Sequence, residues 1–314
     1  MASRTVAVVG GTGAQGSGVV AHLLRDPHYV VRAVSSNTQG AAAQKLLLKH
    51  KSDVEQGRLT VVTGDLDNQA SLEAALAGAD AAFAAMRDGP DEFEQGQNLI
   101  RALKTTGVQH FVYSTLFSIK RVSNGKYTKC TGFDNKEALA QLAFKELPLV
   151  TAISGSWFYT FNHSSPFCAR RTEDGTIKFC LPLDPHLKMQ WCDEYHDYGA
   201  VTAAILKADT ELVRGKTYLL LSPFQSQSEM AATYERITGE KAVADPVPWD
   251  TAFAGVPEAV RGKYIEMFSF LQEQPAGTIN MGASKPEDNV LEEELGVRAS
   301  TFEEFLQRTG FRIP

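Results

Sequence analysis

The chain has 314 residues, enough for one large domain or two modest ones, each with its own core. Apolar residues make up 43% and charged residues 22%, a globular composition, and a net charge of −6 without a basic run gives no electrostatic case for nucleic acid. No apolar stretch reaches membrane-spanning length and the strand-like opening does not read as a signal peptide, so neither a membrane nor a nucleic acid is expected as a partner.

The first half alternates short apolar strands with helical patterns. Strands are predicted at Thr5–Val9, Tyr29–Val34, Leu59–Thr63, Ala81–Ala85, His110–Tyr113 and Leu149–Ile153. Helices are predicted near Ala14–Leu24, Ala41–Lys49, Ser71–Ala77, Glu92–Thr105 and Asn135–Glu146, with Gly107 stopping the fourth. This rhythm implies an α/β fold, a doubly wound parallel sheet of Rossmann type buried on both faces, over residues 1–153. From residue 154 the rhythm breaks into a stretch rich in aromatics, Pro and Gly. A smaller α/β substrate or cap domain is expected over 154–314. Its strand at Thr176–Phe179, helix at Asp197–Ala208 and strand at Thr217–Leu221 are followed by helices at Glu229–Thr238, 257–273 and 301–309. Segments near 197–221 are expected to pack back on the first domain.

The stretch after the first strand carries the strongest signal. Gly10, Gly13 and Gly16 have G-x-x-G-x-x-G spacing, follow a strand and open a helix. Gly10 would let the chain turn, Gly13 would admit a pyrophosphate to the backbone, and Gly16 would let the helix pack close to the sheet. The loop therefore reads as a dinucleotide site, with Thr12, Ala14 and Gln15 beside it. The second strand ends in Ser35, Ser36 and Asn37, with no acidic residue for ribose hydroxyls; this tip tolerates a 2′-phosphate without demanding one. Arg32 is expected to point elsewhere. Asp65 and Leu66 form a short turn that reads equally as an adenine contact or as an Asx turn capping the next helix. Ala85 and Met86 end the fourth strand, where small residues would let a cofactor cross the sheet.

Four cysteines without C-x-x-C pairing fit a reducing, cytoplasmic setting, and seven histidines without ligand spacing predict no metal site.

The combination of GGTGAQG at 10–16, GDLDN at 64–68, HFVYST at 110–115 and FDNK at 133–136 resembles the NmrA-like proteins, atypical relatives of the short-chain dehydrogenases/reductases. The resemblance runs from Thr5 to about Leu221. It implies a Rossmann domain binding NADP(H) or NAD(H), with NADP(H) favoured, and a small domain capping a cleft. Members include redox-sensing regulators and enzymes that reduce small molecules. Two departures stand out. Many members carry a basic residue near Ser36, and the loop after the sixth strand, usually with Arg and Pro, reads Ile153-Ser154-Gly155-Ser156.

Active reductases of the wider group use Tyr-x-x-x-Lys. Here the lysine is Lys136, but Gly132 stands in the tyrosine position. Lys136 lies on the helical stripe Lys136, Leu139, Ala143, Leu147 and is expected to hold the ribose or a proton beside the nicotinamide. Ser114 and Thr115, just past the fifth strand, are candidates for hydrogen bonds to cofactor or substrate. Clustered aromatics with polar tips suit an apolar ligand, so Trp157, Phe158, Tyr159, His163 and Trp191, with Met86 and Thr115, are expected to line a substrate pocket, Trp157 also touching cofactor. Tyr159 and Asp193, with Lys136, are the candidate catalytic groups; Glu194 and His196 are further sources of proton chemistry. Asp197-Tyr198-Gly199 is expected to cap and pack the returning helix.

Three functions follow. The first is an NAD(P)(H)-dependent oxidoreductase of a small, partly aromatic or polycyclic carbonyl or imine. The second is a non-catalytic redox sensor with a regulatory protein partner. The third is a redox-neutral enzyme, such as one cyclising an iminium, that keeps the dinucleotide as a structural element.

Overall fold

Seven parallel strands in the order β11-β6-β5-β4-β1-β2-β3 form the central sheet. The strands are β1 (Arg4–Val9), β2 (Tyr29–Ser35), β3 (Leu59–Thr63), β4 (Ala81–Ala85), β5 (His110–Thr115), β6 (Val150–Gly155), β7 (Trp157–Phe158), β8 (Arg170–Arg171), β9 (Ile177–Phe179), β10 (Trp191–Cys192), β11 (Thr217–Leu220) and β12 (Ala242–Ala244). The helices of eight or more residues are α1 (Ala14–Leu23), α2 (Ala41–Lys49), α3 (Gln69–Leu76), α4 (Glu92–Thr106), α5 (Thr131–Glu146), α6 (His196–Lys207), α7 (Gln227–Thr238), α8 (Glu258–Gln272) and α9 (Phe302–Thr309). This computed structural model describes residues 3–164, 167 and 169–314, apart from the side chains of His163 and Ser164.

Alternation along β1 explains the layers. Val6 and Val8 pack with Val19, Leu23, Val201 and Ile205 of α1 and α6 on one face. Ala7 and Val9 pack with Leu72, Leu99 and Leu139 of α3, α4 and α5 on the other. Both faces are covered, so the strands carry apolar residues at successive positions. Gly107 and Gly239 end α4 and α7 in the left-handed conformation, with φ of 71° and 76°.

Three boundaries near the site differ from the sequence reading. Ser114 and Thr115 belong to β5 rather than following it, because both are paired on the β6 side, with Ile153 and Ser154. Ser154 and Gly155 likewise lie in β6, paired with Leu219 and Leu220 of β11. α5 starts four residues early, at Thr131. The short pair β7–β10 and the three-stranded sheet β12-β9-β8 gather a second, aromatic core around Tyr159, Trp191, Phe268 and Phe302.

Where α1 meets α6, a Cβ on Gly18 would run into the Tyr195 carbonyl, and one on Gly199 into His22 and Gly18. That close approach locks the later helix onto the first half.

Candidate functional site: a glycine loop at the sheet switch point

β1 lies between β2 and β4, where the strand order reverses. In open parallel sheets a crevice forms there, beyond the carboxyl ends of the strands. Gly10 turns the chain at this point with φ +74°, and a Cβ on it would lie 3.1 Å from the Ala85 carbonyl at the end of β4. The Gly13 amide donates to the Gly10 carbonyl at 2.9 Å, and a Cβ on Gly16 would run into that same carbonyl. α1 therefore starts pressed against the turn.

Gly13 is different. Its φ of −81° suits any residue, and the sole protein atom near a Cβ built there is the Gly10 oxygen, at 3.2 Å. A side chain here would ask the Gly10 carbonyl to give by a few tenths of an ångström, a milder demand than at Gly10 or Gly16. Gly13 is the N-cap of α1, a helix with no side-chain cap and no acidic residue in its first turn. Its leading amides and positive dipole end have no protein anion against them. Ala14 is exposed. The leading amides, not the acceptor Gln15 Oε1, fit a phosphate bridge.

The neighbouring tip is neutral. Thr12 Oγ1 lies 3.3 Å from Ser35 Oγ, which accepts from the Asn37 amide at 3.3 Å, while Ser36 and Asn37 are exposed. Arg32 is turned away, donating to the Ala75 and Ala77 carbonyls at the end of α3 at 2.8 and 2.9 Å. The exposed Asp65 accepts from the Asp67 amide at 3.0 Å in an Asx turn, and Asn98 of α4 donates to the Leu66 carbonyl at 2.9 Å. Ala85 is half-buried. Met86 is buried in the sheet-face core.

Lys136 is held in an ion pair that sequence reasoning missed. Its Nζ donates to Glu92 Oε1, with the Glu92 side chain fully buried and that of Lys136 12% exposed. The cause is helix packing: a Cβ on Gly96 would run into Leu139, so α4 and α5 touch, and one turn away Glu92 meets Lys136. Burial pushes the Glu92 carboxyl above the ordinary carboxylate range, and Lys136 draws it back only in part. Among the described residues, Glu92 Oε2 and the Tyr113 hydroxyl find no partner although both are buried. Burial, then the charge of Glu92, raise the Tyr113 phenol. Thr115 Oγ1 donates to the Lys136 carbonyl at 2.9 Å and ties β5 to α5. The Ser114 hydroxyl meets Tyr198.

At Gly132, four residues before Lys136, the space for a side chain is taken. A Cβ on Gly132 would run into the carboxylate of Asp88, which is itself bound by Lys263 of α8. No local pattern announces Glu92 or Asp88 as partners of a helix 40 residues further on.

The aromatic pocket wall is corrected. Tyr159 and Trp191 are fully buried and stack at 6.1 Å, and the Tyr159 hydroxyl donates to the Ser300 carbonyl at 2.9 Å. Trp157, 8% exposed, stacks on Phe268 at 5.8 Å and meets Phe161 edge-on at 4.7 Å. Phe158 packs edge-on against Tyr198 at 6.2 Å. These rings pack on one another in the core, while the Trp157 and Trp191 indole nitrogens are buried without a partner among the described residues. The side chain of His163 lies outside the described residues.

Asp193 is likewise a structural group, not a free acid. Its Oδ1 accepts from the Tyr195 and His196 amides at 3.0 Å, and its Oδ2 pairs with Arg308 at 2.7 Å. The fully buried Asp197 accepts from the Asp193 amide and from Ser300, joining the start of α6 to the end of the chain. Glu194 Oε1 is bound by Thr160, while its Oε2 has no partner; burial raises this carboxyl.

A seven-stranded parallel sheet with an uncapped glycine loop at its switch point defines a protein of the Rossmann class. The NmrA-like family pattern matches residues 2–306, and the chain belongs to that family. It is 27% identical over 282 residues to the NmrA-like family domain-containing oxidoreductase cpsB of Aspergillus campestris, covering 82% of this chain and 80% of that one. It is 26% identical to the NmrA-like family domain-containing oxidoreductase FrzB of Cladobotryum sp, covering 85% and 83%. In structure it resembles Nmra, a negative transcriptional regulator solved in complex with NAD and with NADP, at a TM-score of 0.79 and 20% identity over 98% of this chain and 96% of that one.

Proposed function

We propose that this protein is an NAD(P)(H)-dependent oxidoreductase, moving hydride between nicotinamide C4 and a carbonyl or imine carbon of a small molecule. One observation carries the reading: Gly13 heads a helix that has no side-chain cap and no acidic residue in its first turn. Relatives named as oxidoreductases, matched over four-fifths of their length, support the activity. Gly10–Gly16 would hold the pyrophosphate, Ser35, Ser36 and Asn37 the adenosine ribose, and Asp65 and Leu66 the adenine. The tip has no carboxylate to repel a 2′-phosphate and no cation committed to it, so NADP(H) is favoured and NAD(H) accepted. The bound nicotinamide supplies the hydride. Lys136 holds a proton at Nζ, and Glu92 fixes that ammonium in place. The rings that suggested an aromatic substrate close on each other, so polycyclic recognition has no support from them. A spectrophotometric screen of carbonyls, enones and imines tests the reading. Cofactor consumed in step with product supports it; unchanged nicotinamide absorbance across the panel contradicts it.

A second reading is a redox sensor that hands unequal affinity for the two cofactor forms to a protein partner. The closed Gly132 position and the neutralised Lys136 favour it. Calorimetry showing equal affinity for NADP+ and NADPH would remove its basis.

A further inference from the structure

One helix of the second half lies across the loops of the first. Along α8, Lys263, Glu266, Phe270 and the C-cap Glu273 recur at intervals of three and four and so share one face. Each of them reaches the first half. Lys263 pairs with Asp88, in the loop after β4. Glu266 Oε2 accepts from the Thr128 and Lys129 amides, both at 2.6 Å, just before α5. The Phe270 ring meets Phe117 at 6.0 Å and Tyr127 at 6.1 Å. Glu273 Oε1 accepts from the Tyr127 hydroxyl at 2.8 Å and from Lys126. On the other side of the helix, Phe268 stacks on Trp157 in the aromatic core. α8 is thus a strap that joins that core to the loops after β4 and β5.

The fastening at Asp88 falls beside the crevice. Asp88 stands three residues past Ala85, whose carbonyl lies 3.1 Å from a Cβ built on Gly10. Its carboxylate fills the space at Gly132, one turn before Lys136. The pair also lies near enough to the buried Glu92 to act on its carboxyl, Asp88 raising it and Lys263 lowering it. Among the described residues, neither Arg87 nor Asp88 makes a backbone hydrogen bond, so the ion pair is what ties this stretch down. Both side chains stay accessible, Lys263 at 27% and Asp88 at 41%.

We infer that Lys263 is a positioning residue for the dinucleotide: from the second half it fixes Asp88, and through it the 86–91 loop, along the path of the nicotinamide end past β4. The inference rests on the dinucleotide reading of the glycine loop and deepens it. The adenosine end, assigned to the tips of β2 and β3, lies on the other side of β1 and outside the reach of this contact. An ion pair this exposed adds little to folding, so its loss is read in cofactor binding and not in unfolding.

The test uses the full chain and whichever of NADPH and NADH binds more tightly, followed by titration and by nicotinamide fluorescence, with ADP-ribose as the probe that lacks the ring. Lys263→Met and Asp88→Asn should each weaken the reduced dinucleotide by about threefold or more and alter the emission of its bound ring, while melting near the wild-type temperature. Lys263→Arg, which keeps the charge, should stay within about twofold of wild type and keep its emission. ADP-ribose should bind wild type and Lys263→Met equally. Where one of the two neutral variants fails to fold, the other decides. Reduced dinucleotide bound equally by wild type and both neutral variants, or ADP-ribose weakened as much as the dinucleotide, would overturn the inference and leave the dinucleotide reading standing. A wild-type chain that takes up neither NADPH nor NADH would overturn both.

Discussion

Glu92 and Lys136 form a buried ion pair, and their pairing has a measurable signature. Each neutralises a charge that has little water around it. Lys136→Met should cost about 3 kcal/mol of stability, because it leaves a buried carboxylate alone. The cost should depend on pH. Glu92 is already raised by burial, so its folded pKa lies above its unfolded one; stability from that group is present at low pH and lost as pH rises through the folded value. Lys136→Met should therefore be milder near pH 5 than near pH 8 in urea titrations, and the double variant Glu92→Gln/Lys136→Met should recover much of the loss. Equal costs at both pH values would contradict the pairing. His22 and His110 work in the opposite sense. Burial lowers both to about 4, so each stays neutral in the folded chain. Their contribution is present above about pH 6.5 and is lost as pH falls towards 4, up to about 3 kcal/mol for each histidine. Replacing both with Gln should flatten that part of the stability profile.

Among the elements, the contacts of α1 with α6 and of α4 with α5 position the site. Gly18→Ala would force Tyr195 away from α1 and should cost about 3 kcal/mol, read as a drop in urea midpoint. The start of α5 also bears on the Tyr-x-x-x-Lys arrangement of the wider reductase group. Gly132→Tyr would have to displace Asp88 and part it from Lys263. It is expected to lower the melting temperature without creating reductase activity, and a gain in turnover would contradict the closed arrangement. Elements were readable in the sequence where periodicity and punctuation agreed. β3 and β4 fall on the predicted residues, and Gly107 and Gly239 close their helices as expected. β5 and β6 run two residues further because pairing with neighbours, invisible in a local window, extends them. The site was readable only in part for the same reason. Gly10, Gly13 and Gly16 are local; Glu92 beside Lys136 and Asp88 above Gly132 arise from helix contacts across the chain. The ring cluster from Trp157 to Trp191 looked like a pocket wall because composition cannot tell rings that face a ligand from rings that face each other.

At the scale of the whole molecule, one sheet joins two cores and leaves its switch point open beside a helix without an N-terminal anion. The oxidoreductase and the sensor readings both rest on that opening binding a dinucleotide. Isothermal titration of NADPH and NADP+ into the wild-type chain and into Gly13→Val tests it most directly. A Cβ at Gly13 would meet the Gly10 oxygen at 3.2 Å, so that carbonyl must shift slightly and the variant is expected to lose about 1 kcal/mol of stability while still folding. Saturable binding at one dinucleotide per chain, weakened at least tenfold in Gly13→Val, is the result expected. No heat from NADPH, NADP+, NADH or NAD+, or binding that Gly13→Val leaves unchanged, would contradict the account.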